Sequence, residues 1–278
     1  VSGFKSDAQR RRVMAQLRTH SGHRSHRVAL LSARRGPDAR VVLGDFRDKL
    51  PTVRGVRTFF TDPPYNYGFN YGPVNDSKPA AEYEALMRHM ARSAYEAAAP
   101  DANLFIVHYP EELAKLWPAL TERWQFRSWL TWCYNGYSGT DKKRWNRSSR
   151  SILWLVKGKP SFDGNATLRP FHDAAARQRA QVSGKLGAQL YDWWQVDLVR
   201  GASREWCGYA NQIPREIIKR CILATTKPGE LVADPFAGTA STVKTAATLG
   251  RRGWGCDANP DAAPYWGFLR GGLTGVQA

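Results

Sequence analysis

The chain has 278 residues, 42% hydrophobic and 23% charged, a balance that belongs to a folded globular protein and excludes a disordered one. Lysine and arginine total 41 against 24 acids, a formal charge of +17, and that excess favours a polyanionic partner, nucleic acid above others. No apolar run reaches the roughly 18 residues of a membrane-spanning helix, and Cys133, Cys207, Cys221 and Cys256 form no C-x-x-C pair, so neither a membrane protein, a disulfide framework nor a zinc site is expected.

Residues 1–37 read as a mobile basic arm. Asp7 can cap a short helix with Val13, Met14 and Leu17 on one face, after which Ser, Gly, His and Arg follow without a period. His20, His23 and His26 lie among arginines with no carboxylate or thiol beside them, so no metal is expected there. "RVVLGD", Arg40 to Asp45, is a short apolar run closed by Gly-Asp, as at the carboxyl end of a strand, and "VRTFFTD", Val56 to Asp62, is a second strand. In "EYEALMRHMARSAYEAAA" Leu86, Met87, Met90, Ala94 and Tyr95 recur at helical spacing, and "NLFIVHY" from Asn103 is again a strand. A helix opens at Pro110 with Glu111 and Glu112 in its first turn, where acids suit the macrodipole. "FRSWLTWCY" and "RSILWLVKG" complete this half as two more strands. Such alternation predicts an α/β fold with a mostly parallel, doubly covered sheet.

Residues 159–205 break the rhythm. They carry many basic residues and the aromatics Tyr191, Trp193 and Trp194, a mixture that suits a segment touching a partner. The rhythm resumes at Pro214, placed in a first helical turn, with Ile217, Ile218, Cys221 and Ile222 as one buried stripe. "GELVADPFAGTASTVKTAATLGRRGWGCD" then supplies a strand ending at Asp234, a turn, a helix stopped by Gly250, and a strand ending at Asp257. In an open parallel sheet ligands lie beyond the carboxyl ends of adjacent strands. Asp234 to Gly238 with Asp257 therefore read as a nucleoside site, or Pro235 and Gly238 as no more than a turn. The G-x-G-x-x-G fingerprint and the P-loop are both missing, which points away from pyrophosphate and toward S-adenosylmethionine.

"DPPY" at Asp62 to Tyr65 and "DPFAGT" at Asp234 to Thr239 together resemble the DNA amino-methyltransferases that modify N6 of adenine or N4 of cytosine. "VVLGDFRDKLP", "RWNRSSRSILWLVKG" and "VRGASREWCGYANQIPREII" resemble further pieces of that family, so the resemblance covers most of residues 40–260. It implies a Rossmann-like methyltransferase fold. Because DPPY precedes DPFAG, the order is that of the β group, circularly permuted, with a target-recognition region between the motifs, where residues 159–205 fall. The resemblance also implies that Asp62 and the Pro63 carbonyl each accept an N–H of the target amine, that Pro64 stiffens the turn, and that Tyr65 offers a ring to a flipped base. It assigns Asp234, Phe236 and Gly238 to the methionine side of the donor, Asp257 to the ribose and Asp45 to the adenine neighbourhood, with Thr239 also among the donor-binding residues and the Gln212 to Pro214 turn closing over the methionine end. Two positions depart from the pattern: Ala240 stands where a second glycine is usual, and "YANQIP" has Tyr209 and Ile213 in place of His and Lys.

Expected, then, is an adenine-N6 methyltransferase acting on double-stranded DNA with S-adenosylmethionine, Asp62 leaning toward adenine. The alternatives are cytosine-N4 or RNA methylation, or a silent nucleic-acid-binding homologue. The "GTDKKRWNRSSR" loop supplies Lys142, Lys143, Arg144, Arg147 and Arg150 as phosphate contacts. "NYGFNYGPVNDSKP" reads either as a lid or as an ordinary connection. The want of a membrane-length apolar run and of a signal segment leads to the expectation of a cytoplasmic protein, and the resemblance makes a homodimer and a cognate restriction endonuclease candidate partners.

Overall fold

The computed structural model describes residues 38–69, 76–138, 143, 145–171, 173–183, 186–209 and 211–267; the basic arm over 1–37 lies outside them. In chain order the elements are β1 (Ala39–Leu43), α1 (Phe46–Lys49), β2 (Val56–Thr61), α2 (Ala80–Ala97), β3 (Ala98–His108), α3 (Pro110–Leu120), β4 (Gln125–Ser138) and β5 (Arg147–Lys157). There follow β6 (Leu168–Arg169), α4 (Ala174–Val182), β7 (Ala188–Gln189), β8 (Trp193–Gln195), α5 (Arg215–Thr225), β9 (Leu231–Asp234), α6 (Ser241–Thr248) and β10 (Arg252–Asp257).

Eight strands form one sheet in the order β1-β10-β9-β2-β3-β5-β4-β8. Every neighbouring pair is parallel except the two that involve β5, which runs against both β3 and β4. The alternation of apolar runs carries no direction, and the reversal follows from chain length: the short stretch from Ser138 to Arg147 closes a hairpin but cannot make the crossover that parallel neighbours need. Reversal has a consequence for function, because it brings the start of β5 to the edge where the parallel strands end.

Consecutive side chains on a strand face opposite ways, and Phe59 and Phe60 on β2 begin two separate cores. Phe59 joins Met87 and Met90 of α2, Leu113 and Leu116 of α3, and Trp124 on one face. Phe60 joins Phe105, Trp132, Trp154 and the Ile217, Ile218, Cys221 and Ile222 stripe of α5 on the other. Fully burying one such side chain is worth about 1.5–3 kcal/mol, so both faces hold the sheet flat against helices, as the near-continuous apolar strands require.

The irregular 159–205 segment is only partly loop. It packs a two-strand ribbon, β6 with β7, and adds β8 as the outer strand of the main sheet, parallel to β4 through Thr131, Trp132 and Cys133. Strands of two or three residues are too short to show a period, so the sequence carries no pattern there. Similarly, β3 begins at Ala98, ahead of the predicted Asn103, because its first residues are weakly apolar and are held by pairing Ala98 with Val56.

Candidate active site

The connection leaving β9 runs through α6 to β10 on one side, whereas that leaving β2 runs through α2 to β3 on the other. β9 and β2 are adjacent, so their carboxyl ends part the loops and leave a crevice between them. Asp234 ends β9 and Asp62 follows β2 at that point. The buried Thr61 Oγ1 donates to Asp234 Oδ1 at 2.8 Å and ties the two strand ends together.

A cavity of about 210 Å³ opens there, lined by Asp45, Asp62, Pro64, Gln212, Asp234, Phe236, Gly238, Thr239 and Asp257, among others. Its floor is the turn after β9. Phe236 N donates to Asp234 Oδ1 at 3.1 Å, and Gly238 N donates to Asp257 Oδ2 at 2.7 Å, while Asn259 N donates to Asp257 Oδ1 at 2.8 Å. Each Asp257 oxygen keeps lone-pair capacity for a further donor. Burial pushes the Asp257 carboxyl up and the Asp234 carboxyl up to about 7. Asp45 caps α1 and is gripped by Arg47 through its backbone N at 2.8 Å, Nε at 3.0 Å and Nη2 at 2.7 Å, and the Arg47 guanidinium holds its carboxyl below the ordinary range.

Backbone shape in the turn fits close approach. Ala240, at the position where a glycine is usual, takes φ 62°, ψ 29°, so this chain keeps the left-handed conformation without the residue that adopts it freely. Gly255 of β10 lets α6 and the turn settle on the sheet, since a Cβ there would stand 2.9 Å from both Ala237 Cβ and Val243 Cγ2. A Cβ on Gly238, by contrast, would meet nothing within 4 Å, which leaves the backbone there open to a ligand.

Carboxylates at four strand ends, Asp45, Asp62, Asp234 and Asp257, with an aromatic ring at Phe236 and no phosphate-cradling loop among the described residues, suit a cationic, phosphate-free nucleoside, and S-adenosylmethionine meets each of those conditions. Of the predicted cofactor residues, Pro214 is placed differently. It is the N-cap of α5, with the helix beginning at Arg215, and it is not part of the cavity wall, which Gln212 and Ile213 form instead. Gln212 is held by donating from Nε2 to Glu205 O at 2.8 Å and accepting at Oε1 from Cys207 Sγ at 3.1 Å.

At the catalytic motif, Tyr65 Oη donates to Asp62 Oδ1 at 2.7 Å. Burial pushes the Asp62 carboxyl up to about 6, against the pull of the Arg150 charge and of the Tyr65 hydroxyl. The Tyr65 ring is stacked on His108, with centroids 4.3 Å apart and planes at 17°, and meets Tyr109 edge-on at 4.8 Å. The Pro64 carbonyl accepts from Tyr83 Oη at 2.6 Å.

Arg150 stands elsewhere than predicted. It is buried on β5, its Cζ 5.2 Å from the Tyr65 ring centre and 5.3 Å from that of Trp132, and so faces the catalytic motif from within instead of reaching outward to phosphate. Arg147 pairs with Glu111 through Nη1 and Nη2 and lies with Cζ 3.9 Å over the Tyr109 ring. Lys143 is described, whereas Lys142 and Arg144 lie outside the described residues, as does part of the "NYGFNYGPVNDSKP" connection. Sequence reasoning missed Tyr83 and His108. His108 carried one signal, a polar residue closing an apolar strand at the ligand-facing edge.

The sequence profile of a family described as DNA methylase, of the N6 and N4 type, matches residues 56–265. The chain belongs to that family. It is a DNA methyltransferase of the N6/N4 class, and its methyl donor is S-adenosylmethionine. Among its relatives is the DNA adenine methyltransferase YhdJ of Escherichia coli K12, 24% identical over 237 residues and covering 81% of each protein. Among solved structures, the PvuII DNA methyltransferase (cytosine-N4-specific) superposes with a TM-score of 0.66 at 12% identity, over 86% of this chain and 90% of its own. The M1.HpyAVI–SAM complex does so with a TM-score of 0.59 at 16% identity, over 81% and 96%. No helix among the described residues is long and apolar enough to cross a membrane.

Proposed function

We propose that the protein methylates N6 of adenine in double-stranded DNA, acting on a base swung out of the duplex. The observation that carries this reading is the placement of Asp62 in the wall of the donor cavity, with the Tyr65 hydroxyl hydrogen-bonded to its carboxylate. An exocyclic amine is a poor nucleophile while its lone pair is delocalised into the ring. Two acceptors at fixed positions, the Asp62 carboxylate and the Pro63 carbonyl, draw its hydrogens out of the ring plane and free the lone pair. The Pro64 carbonyl is turned toward Tyr83, from whose hydroxyl it accepts, so the Pro63 carbonyl is the one assigned to the amine. S-adenosylmethionine, when bound, supplies a sulfonium methyl group. Transfer would form the N–C bond as the methyl C–S bond breaks, its electron pair going to sulfur and the donor leaving as the neutral thioether S-adenosylhomocysteine; the nitrogen, then positively charged, sheds one proton, and an Asp62 carboxyl pushed up to about 6 is ionised at neutral pH yet basic enough to receive it.

Aspartate at position 62 and the adenine-methylating name of YhdJ both favour adenine. The cytosine-N4 specificity by which the PvuII neighbour is named supports the second reading, N4 of cytosine. Residues 159–205 are assigned to target recognition. Tyr191 and Trp193, both half-exposed, stack at 5.8 Å and 12°, with Arg169 Cζ 4.3 Å over Tyr191, a platform of the kind that meets bases. Lys142, Lys143 and Arg144 remain assigned to phosphate, and a homodimer and a partner endonuclease belong to the same proposal. Methyl transfer from labelled donor into mixed duplex DNA, followed by nucleoside analysis, tests it. N6-methyladenine is the expected product, and N4-methylcytosine, or label in RNA alone, would overturn it.

A further inference from the structure

His108 is wholly buried at the end of β3 and has no part in the chemistry above, yet every hydrogen bond around it has a forced direction. Its Nδ1 lies 2.7 Å from the backbone N of Tyr109, which can only donate, so Nδ1 is an acceptor and carries no proton. Its Nε2 lies 2.8 Å from Tyr83 Oη, which in turn lies 2.6 Å from the Pro64 carbonyl. A carbonyl only accepts, so the single phenolic hydrogen of Tyr83 is directed at Pro64. Tyr83 must then accept from Nε2–H. One neutral tautomer satisfies all three contacts, and burial keeps the ring neutral by pushing its pKa down to about 3.

The same imidazole is the ring on which Tyr65 stacks. His108 thus holds the catalytic turn twice, through Tyr83 at the Pro64 carbonyl and by its own face at the Tyr65 ring. We infer that His108 and Tyr83 are positioning residues for methyl transfer, together fixing the Pro64–Tyr65 peptide so that the Pro64 carbonyl is turned inward and the Pro63 carbonyl is left for the target amine. Both side chains come from elements that begin or end at the crevice, the first turns of α2 and the last residue of β3, so the chain spans the two sides of the turn it braces. The inference rests on the amine-methylating reading of Asp62 and Pro63.

Tyr83→Phe deletes one oxygen and keeps the ring. Methyl transfer to duplex DNA and calorimetric donor binding should show kcat reduced on the order of tenfold to a hundredfold with donor affinity little changed, while the unpartnered His108 Nε2–H lowers the melting temperature by a few degrees. His108→Gln keeps an amide N–H near the Nε2 position, whereas His108→Phe keeps the stacked ring and loses the donor, so Gln should retain more kcat than Phe. Combining Tyr83→Phe with His108→Phe should cost less than the product of the single losses, since both break one chain. Full kcat in a folded Tyr83→Phe protein, or His108→Phe equal to or better than His108→Gln, overturns the inference while leaving the proposed function standing. Should Tyr83→Phe not fold, the two His108 variants decide alone. A folded wild type that binds donor but methylates no nucleic acid refutes the proposed function and this inference with it.

Discussion

Replacing Arg150 with glutamine should move the acidic limb of the methylation rate upward in pH. Asp62 accepts from an amine only when ionised, and its carboxyl, pushed up to about 6 by burial, is held from rising further by Arg150 and Tyr65. The guanidinium lies 5.2 Å from the Tyr65 ring centre, and the Tyr65 hydroxyl is 2.7 Å from the carboxylate, so the charge acts across one aromatic ring. Across a ring, at roughly 8 Å, a unit charge in surroundings of effective dielectric ~20 contributes about 2 kcal/mol, equivalent to roughly one and a half pH units. A carboxyl whose pKa rises is protonated, and idle, over a wider acidic range, so the variant should already be losing rate near neutrality where the wild type is still at its plateau. Single-turnover methyl transfer at saturating DNA and donor, from about pH 5 to 9, measures the limb directly. The Arg150 Nε is buried with no hydrogen-bond partner among the described residues, so few bonds are broken, but the buried Asp62 carboxylate loses its compensating charge, and melting should fall more at pH 8 than at pH 5, where the carboxyl is protonated. The displacement should also persist in added salt, since a charge enclosed by rings is screened far less than one on the surface. A limb that stays where the wild type has it would refute the electrostatic role of Arg150.

Asp62→Ala should abolish turnover and leave donor affinity within about twofold by calorimetry, whereas loss of folding would show the aspartate to be structural. Gly255→Ala forces a Cβ to within 2.9 Å of Ala237 and Val243, so the turn after β9 must shift. It should cost about 1–3 kcal/mol in denaturant unfolding and weaken donor binding, and unchanged binding would contradict the tight packing of turn on strand. Asp234→Asn keeps an acceptor for Thr61 and removes a carboxyl that burial pushes up to about 7. Since the folded-state pKa is raised above the unfolded one, the ionised form destabilises the fold at high pH, and that penalty fades as pH falls through about 7. The variant should therefore gain melting temperature over the wild type at pH 8 more than at pH 6, and a gap independent of pH would exclude the buried charge as its cause.

The strands that build the site were readable because each ends an apolar run on an acid, and Asp62, Asp234 and Asp257 stand at the carboxyl ends where such residues were expected. What lay beyond reach was of two kinds. Direction was one: nothing in "RSILWLVKG" distinguishes a parallel from an antiparallel strand, and only the brevity of the preceding connection bears on it. Partners distant in the chain were the other. Tyr83 sits on the buried face of an amphipathic helix and reads as core, while its hydroxyl partners are 19 and 25 residues away, where spacing carries no signal. Arg150 reads as one charge in a basic loop because the start of β5 is marked by serines, and its burial follows from Trp132, its neighbour across β4, and from Tyr65 above it.

The permuted order of the motifs is compatible with an intact site because the site is made from strand ends and their register. Phe59 pairs with Ala233, which puts Asp62 and Asp234 at the same end of adjacent parallel strands, and Thr61 reaches Asp234 across a gap of 173 residues in the chain. A crevice between two strands whose connections depart in opposite directions opens regardless of which half is written first. Register is a stricter condition. A slip of one residue between β2 and β9 would exchange the faces of Phe59 and Phe60, each buried in a different core, and would carry the Asp62 carboxylate away from the cavity by a whole residue's rise. The two phenylalanines therefore do for the chemistry what chain order does not: by belonging to opposite cores they lock β2 in the one register that presents Asp62 to the donor site.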